Sequence, residues 1–263
     1  MNKQTGTMSI KNFIFVLALM LLSASSYAQL RPTVPPGANF DLSAWKLQTL
    51  GDNRAFIEIK PGQLQAGHTS WYFYTDTTDG SMVFRTPVNG KTTASTVHQR
   101  VELRQVSGGS NWLLADTTEH RLDAICRVIT LAPDTPKMVI GQIHGGDAKS
   151  QVLKLIWAGK KQGKCTITAN FKNNDEAKKD LYVKLATGLS PCDTIAYSIT
   201  MSHGKITVNV NGTSTSQTYT SEYFGDKDKY YFKAGNYLQC SGTDPDVFGL
   251  IKFYKLLLTP LQR

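Results

Sequence analysis

Three segments of the chain place ionisable and amide side chains at every second position. His98, Arg100, Glu102 and Arg104 alternate with Val97, Val101 and Leu103. Gln142 and His144 stand two apart, and alternation assigns Val139, Gly141 and Ile143 to the opposite face. Tyr231, Lys233, Gly235, Tyr237 and Gln239 alternate with Phe232, Ala234 and Leu238. Side chains two apart on a β-strand share a face, so each segment has an apolar side and a side dense in polar groups. An exposed sheet face is polar by default. This set of Arg, Lys, His, Tyr and Gln is more specialised than a solvated face requires. It can hold carboxylates along a sugar chain and offer rings for stacking.

The chemistry such a face can run is elimination on a uronic-acid polymer. The C5 proton beside a uronate carboxylate is barely acidic until fixed donors neutralise the carboxylate and stabilise the developing enolate. Arg100, Gln142 and His144 are the right types: a cation, a neutral amide donor and an imidazole. A base must take the proton and an acid must protonate the departing glycosidic oxygen. Tyr237 is the candidate acid, and it can serve as base where neighbouring cations favour the phenolate. His144 is the alternative base when the proton lies on the other face of the ring. Arg104, Lys233 and Tyr231 would hold neighbouring units, and Glu102 would orient its two flanking arginines through ion pairs. A glycoside hydrolase needs two carboxylates flanking the bond. These faces supply Glu102 alone, between cations, so hydrolysis is disfavoured. His68, His98, His120 and His203 are read as structural, and Trp45, Trp71, Trp112 and Trp157 as core.

The elements that position these residues are strands. From Phe40 onward, short runs rich in Val, Ile, Thr, Tyr and Phe alternate with Gly, Asn, Asp and Ser turns, and Asn211-Gly212 after Val208 and Val210 signals a hairpin. Only Asn174–Leu181 looks locally helical, and its composition equally fits a polar loop. The pattern predicts an all-β chain, a jelly-roll sandwich of two antiparallel sheets over residues 39–263. Residues 29–38 read as an extended, poorly packed lead-in. Residues 1–28 read as a signal peptide: Lys3 and Lys11, the apolar run Phe13 to Leu22, and a small-x-small site at Ser26-Tyr27-Ala28. The expected mature protein is secreted or periplasmic after cleavage near Ala28.

The formal charge of +9 becomes +7 once Lys3 and Lys11 are removed, because residues 1–28 hold no Asp or Glu. A basic exported chain suits an acidic polysaccharide. Blocks of Lys or Arg that would track phosphates are missing, which argues against nucleic acid, and no further stretch reads as a membrane span. Nothing requires more than a monomer. Cys126, Cys165, Cys192 and Cys240 are an even number in an oxidising compartment, compatible with two disulfides, with free buried thiols as the alternative. Their spacing is wrong for a zinc knuckle, and no metal is assigned.

Arg100-Val101-Glu102-Leu103-Arg104, Gln142-Ile143-His144 and Tyr231-Phe232-Lys233-Ala234-Gly235-Asn236-Tyr237-Leu238-Gln239 resemble, in order, three motifs of polysaccharide lyase family 7, the alginate lyases. Asp41–Gln48 resembles that family's opening strand and Phe253–Leu256 its closing one, so the likeness spans about residues 39–258. The resemblance implies a jelly roll with a concave substrate cleft and catalysis without a cofactor. It implies a catalytic quartet of Arg100, Gln142, His144 and Tyr237, with Arg104, Lys233, Tyr231 and Gln239 in contact with substrate. Ile143 in the Gln-x-His motif implies a lean towards guluronate-containing blocks, although that side chain should point away from the sugar. Val101 replaces the family's usual Ser or Thr, and Leu47-Gln48-Thr49-Leu50 lacks a Pro commonly found there. These departures leave room for a lyase acting on another polyuronate such as glucuronan. A non-catalytic carbohydrate-binding jelly roll is the alternative from another class, and it would have no need of Arg100, Gln142, His144 and Tyr237 together.

Overall fold

A computed structural model describes residues 29–92, 96–106, 112–133, 136–145, 151–159, 163–174, 178–220 and 229–259. The leader reading of residues 1–28 lies outside them. Runs of β-branched and aromatic residues broken by turn residues form strands, as their fit to a pleated, half-buried surface requires. One sheet contains β1 (Trp45–Leu50), β2 (Phe56–Ile59), β5 (Arg100–Gln105), β6 (Trp112–Leu113), β8 (Lys137–Gly145), β9 (Gln151–Gly159), β10 (Cys165–Phe171), β11 (Leu181–Leu189) and β15 (Lys229–Leu238). The other contains β3 (Phe73–Thr75), β4 (Met82–Pro87), β7 (His120–Thr130), β12 (Ile195–Ser202), β13 (Lys205–Val210), β14 (Thr213–Thr218) and β16 (Phe248–Thr259). The first sheet runs β11-β10-β9-β8-β15-β5-β1-β2, with β6 on β15; the second runs β14-β13-β12-β7-β16-β4-β3. Neighbouring strands are antiparallel, and two facing sheets with these crossovers make the expected jelly roll.

The sandwich closes on an apolar core. Trp45, Leu47, Val101, Leu103, Ile143, Leu155, Trp157 and Phe232 come from the first sheet, and Phe73, Phe84, Ile199, Val208 and Phe253 from the second. Each large side chain fully removed from water stabilises the fold by about 1.5–3 kcal/mol. Phe84 meets Phe73 and Phe253 edge-on, with ring centroids 5.2 and 5.3 Å away. Val101 and Ile143 point into this core, as alternation requires.

Several expectations are corrected. Of the two readings of 174–181, the described residues follow the polar loop rather than the helix, up to Leu181, which opens β11; positions 175–177 lie outside the description. β11 and β14 are lateral strands with weak apolar alternation, so periodicity alone does not find them. The lead-in is not loosely extended: Pro36–Asn39 forms a helical turn, α1, and Leu30 packs against the core. The Asn39 amide donates to the carbonyls of Arg31 (2.9 Å) and Gly80 (3.1 Å), pinning the segment down. Trp71 is 70 % exposed, because it precedes the short β3 rather than lying within a strand, and Arg85 stacks on its ring at 4.4 Å. None of the four cysteines forms a disulfide. Cys126 points into the core from β7, Cys165 begins β10, Cys192 sits in the β11–β12 turn, and Cys240 belongs to a small satellite cluster with Val88, Ala132 and Leu238. The hairpin expectation holds: Asn211 and Gly212, both at positive φ, join β13 to β14 with Val210 opposite Thr213.

Candidate active site

β5, β15 and β8 lie side by side near the middle of the first sheet, and their polar faces point away from the core. Register turns three sequence motifs into one surface. Lys46, Arg104, Lys233, Gln142 and Lys154 are successive partners across β1, β5, β15, β8 and β9. One step along, Gln48, Glu102 and Gly235 are partners, and beyond them Arg100 faces Tyr237. On the other side, Tyr231 faces His144.

Tyr237 keeps the alternation of β15, in unbroken register with β5, but beside it the pairing with β8 is bulged. Three steps on β15, from Ala234 to Tyr237, match two on β8, from Gly141 to Val139. Gly235 within the bulge has φ +140, and a Cβ there would lie 2.8 Å from the Val101 carbonyl oxygen. Only glycine takes that backbone and that approach without strain. A matching register shift on β8 moves Val139 off the core side where simple alternation put it. Val139 is fully buried beside Tyr237 and Ile156, outside the core cluster, and so forms an apolar patch on the cleft floor.

At the centre, Glu102 is fully buried. Its Oε2 lies 2.6 Å from the Lys233 ammonium and 3.6 Å from the Arg100 guanidinium, and its Oε1 accepts from the Gln142 amide. The expected bridge to both arginines is therefore corrected. Arg104 instead stacks on the Tyr231 ring at 4.2 Å, while Lys233, reaching over from β15, takes its place. Arg100 lies 4.0 Å over the Tyr237 ring. Burial lowers the Lys233 pKa to about 8, with Glu102 opposing the shift. Gln142 spends one N–H of its amide on Glu102 and has a second to donate.

His144 is held for a specific proton state. Its Nδ1 lies 2.7 Å from the Gly145 carbonyl oxygen, which can only accept, so Nδ1 carries the proton and Nε2 keeps its lone pair. The Tyr231 hydroxyl is 3.1 Å from the same Nδ1, and the two rings stack at 5.4 Å. Burial depresses the His144 pKa to about 4, with the charges of Lys233 and Arg100 adding to it and the Gly145 carbonyl and Glu102 opposing it. The imidazole is thus neutral at physiological pH. Burial raises the Tyr231 phenol above its ordinary range, so this residue acts as a hydrogen-bonding ring rather than an anion.

Gln239 stands apart from the network. Its side-chain amide donates to the neighbouring backbone carbonyls of Tyr237 and Leu238, at 3.4 Å, and it lines a hollow at the end of the face with His98 and Ser241. Three of the four remaining histidines have local partners, while the His68 Nε2 is buried with no hydrogen-bond partner among the described residues. His98 is tied to Ser241, His120 pairs with Asp116 and stacks on Trp112, and His203 bonds Ser202. Among the described residues, no cluster of three or more His, Cys, Asp and Glu side chains is placed to hold a metal ion. Lys154 escaped the sequence reading. A lone cation between Leu153 and Leu155 in an apolar strand is its signal, since alternation turns it to the cleft side.

The family model for alginate lyase matches residues 40–260. An alginate lyase of Klebsiella pneumoniae is 26 % identical, over 95 % of this chain and 98 % of that one. The crystal structure of the family 7 alginate lyase A1-II′ in complex with product (GGG) superposes with a TM-score of 0.75 at 31 % identity, covering 86 % of this chain and 99 % of that one. An alginate lyase of Pseudomonas aeruginosa superposes with a TM-score of 0.74 at 28 % identity, covering 83 % and 99 %. Motifs, fold and full-length likeness agree, and the chain belongs to the alginate lyase family, as a polysaccharide lyase.

Proposed function

We propose that this enzyme cleaves the 1,4-glycosidic bonds of alginate by β-elimination within the polymer, favouring guluronate-containing blocks, and that it works outside the cytoplasm after loss of residues 1–28. The observation that carries the reading is a neutral imidazole and a phenol on one face, set among cations tied to a single buried carboxylate. Arg100 and the spare Gln142 N–H neutralise the substrate carboxylate, so that charge developing on it is met by fixed donors. The base takes the C5 proton; the electron pair left behind becomes the C4–C5 double bond and expels the glycosidic oxygen, which Tyr237 protonates. His144, with Nε2 unprotonated, is the base for a proton on one face of the ring, and Tyr237 for the other. Lys233, Arg104 and Tyr231 hold neighbouring units. The cationic and amide floor runs from Lys46 on β1 to Lys154 on β9, which supports binding along a chain rather than at its end. The neighbour A1-II′ has been solved with product (GGG) and with substrate (GGMG), which supports an alginate ligand.

The test follows the ultraviolet absorbance of the unsaturated product on polyguluronate, polymannuronate and glucuronan. The absorbance should rise on alginate blocks, fastest on polyguluronate. Tyr237→Phe should lower turnover by roughly 100-fold or more while polymer binding persists, as loss of a positioned acid requires. A near wild-type rate in that variant would remove Tyr237 from the chemistry. A rise on glucuronan alone would change the substrate.

A further inference from the structure

The row of register partners through Lys233 and Gln142 does not stop at Lys154. Asn170 on β10 is the partner of Lys154, and Tyr182 on β11 is the partner of Asn170. Ile167, Ala169 and Phe171 of β10 all point into the core, so Asn170 faces the cleft side with Lys154 and Gln142. Strands lie about 4.8 Å apart, which puts Tyr182 roughly 14 Å from Gln142 along this line.

Each of the three side chains lacks something that a ligand would supply. Asn170 is 7 % exposed, and its Oδ1 is buried with no hydrogen-bond donor among the described residues. Lys154 makes no direct ion pair among the described residues; burial lowers its pKa and the more distant charge of Asp180 opposes that shift, so its ammonium has room for a contacting anion. Tyr182 presents a ring that is 62 % exposed, an unusual position for so large an apolar surface. At the opposite end of the same row the situation is reversed. Lys46 is neutralised by Glu58 at 2.7 Å, and Gln48 also bonds that carboxylate. The β9–β11 end therefore holds a cation with no carboxylate in direct contact among the described residues.

We infer that Lys154, Asn170 and Tyr182 form a remote uronate subsite, which grips a sugar unit lying away from the cleaved bond on the β9–β11 side. A uronosyl unit carries a carboxylate for the Lys154 ammonium, hydroxyl donors for the Asn170 oxygen and a flat C–H face for the Tyr182 ring. The inference rests on the reading of this face as the track of a polyuronate. It adds the direction in which the bound chain extends and predicts a preference for substrates long enough to reach β11.

The test compares kcat/KM on long polyguluronate with kcat/KM on a guluronate trimer, for the wild type, Tyr182→Ala and Lys154→Gln. In parallel, polymer binding is titrated in each protein carrying Tyr237→Phe in addition. The subsite predicts that the ratio of polymer to trimer efficiency falls about fivefold or more in each variant, mainly through KM, and that polymer binding weakens to match. Ratios and affinities within twofold of the parent, in variants with unchanged circular dichroism, would overturn it. Should Lys154→Gln fail to fold, the exposed Tyr182 decides alone. If the wild type eliminates no uronate polymer, the elimination reading falls, and the titration then judges the subsite: weaker polymer binding in Tyr182→Ala sustains it, and unchanged binding removes it.

Discussion

Among single residues, Glu102 holds the centre of the polar face together. Its carboxylate is fully buried and joins Lys233, Arg100 and Gln142, and Lys233 itself is only 2 % exposed. Two charges taken out of water are tolerable together, and removing one leaves the other uncompensated. Glu102→Gln should therefore lower unfolding free energy by about 3 kcal/mol, read by urea denaturation. Adding Lys233→Met should recover much of that loss, because the stranded ammonium is gone. If the double variant were as unstable as the sum of the two single ones, the ion pair would not be the source of the effect. The spacing Arg100-x-Glu102-x-Arg104 suggested a carboxylate serving two arginines. A lysine 131 positions later takes one of those places, and no local pattern announces that exchange.

Among the elements, β15 does the most positioning, since it pairs with both β5 and β8 and supplies Tyr231, Lys233 and Tyr237. Its bulge sets where the Tyr237 phenol stands relative to His144 and Gln142. Asn236, next to Gly235, turns into the sandwich and donates to the carbonyls of Phe84 (3.2 Å) and Gly249 (2.8 Å), so the bulge is tied to the second sheet. Gly235→Ala should cost about 1–3 kcal/mol through the positive φ and the clash with β5. It should also lower kcat by at least tenfold, because a shift of about 1 Å in a catalytic group is enough for a loss of that order. Unchanged kcat with reduced stability would mean that the bulge supports the fold without setting the geometry of the chemistry.

For the whole molecule, the buried imidazole couples folding to pH. An unfolded chain takes up a proton at His144 near the ordinary value of 6.5, whereas the folded one resists until about 4. The unfolded state therefore binds more protons between those values, and stability must fall as pH drops from 6.5 to 4. The gap sets a ceiling of about 3 kcal/mol on this contribution. Asp76, bonded to Lys252 at 2.6 Å and lowered to about 2, acts in a lower window: its stabilisation is present above its ordinary value of 3.8 and is lost as pH falls towards 2. His144→Asn should flatten the stability profile between pH 6.5 and 4 and leave the lower window as it was. Denaturant midpoints measured at pH 7, 5.5 and 4.5 decide it, and parallel profiles for the two proteins would place the acid sensitivity elsewhere.

Period-two alternation needs only the sequence, because a strand sends neighbouring side chains to opposite faces whatever it packs against. That is why Arg100, Glu102, Arg104, Gln142, His144, Tyr231, Lys233 and Tyr237 could be assigned to polar faces, and Val101, Ile143 and Phe232 to the core, before any strand was paired. The all-β class and the Asn211-Gly212 hairpin rest on equally local chemistry. Register, by contrast, depends on which strands meet, and an inserted residue changes it without leaving a sequence mark. The β8 bulge thus placed Val139 on the cleft floor against the alternation rule, and pairing alone aligned Lys154, Asn170 and Tyr182 with Gln142. The lateral strands β11 and β14 form because a neighbouring strand offers hydrogen bonds, which their own residues do little to advertise. The partner of Glu102, the depressed imidazole and the unbridged cysteines were likewise decided by tertiary structure, since burial and charge proximity arise only when distant strands are brought side by side.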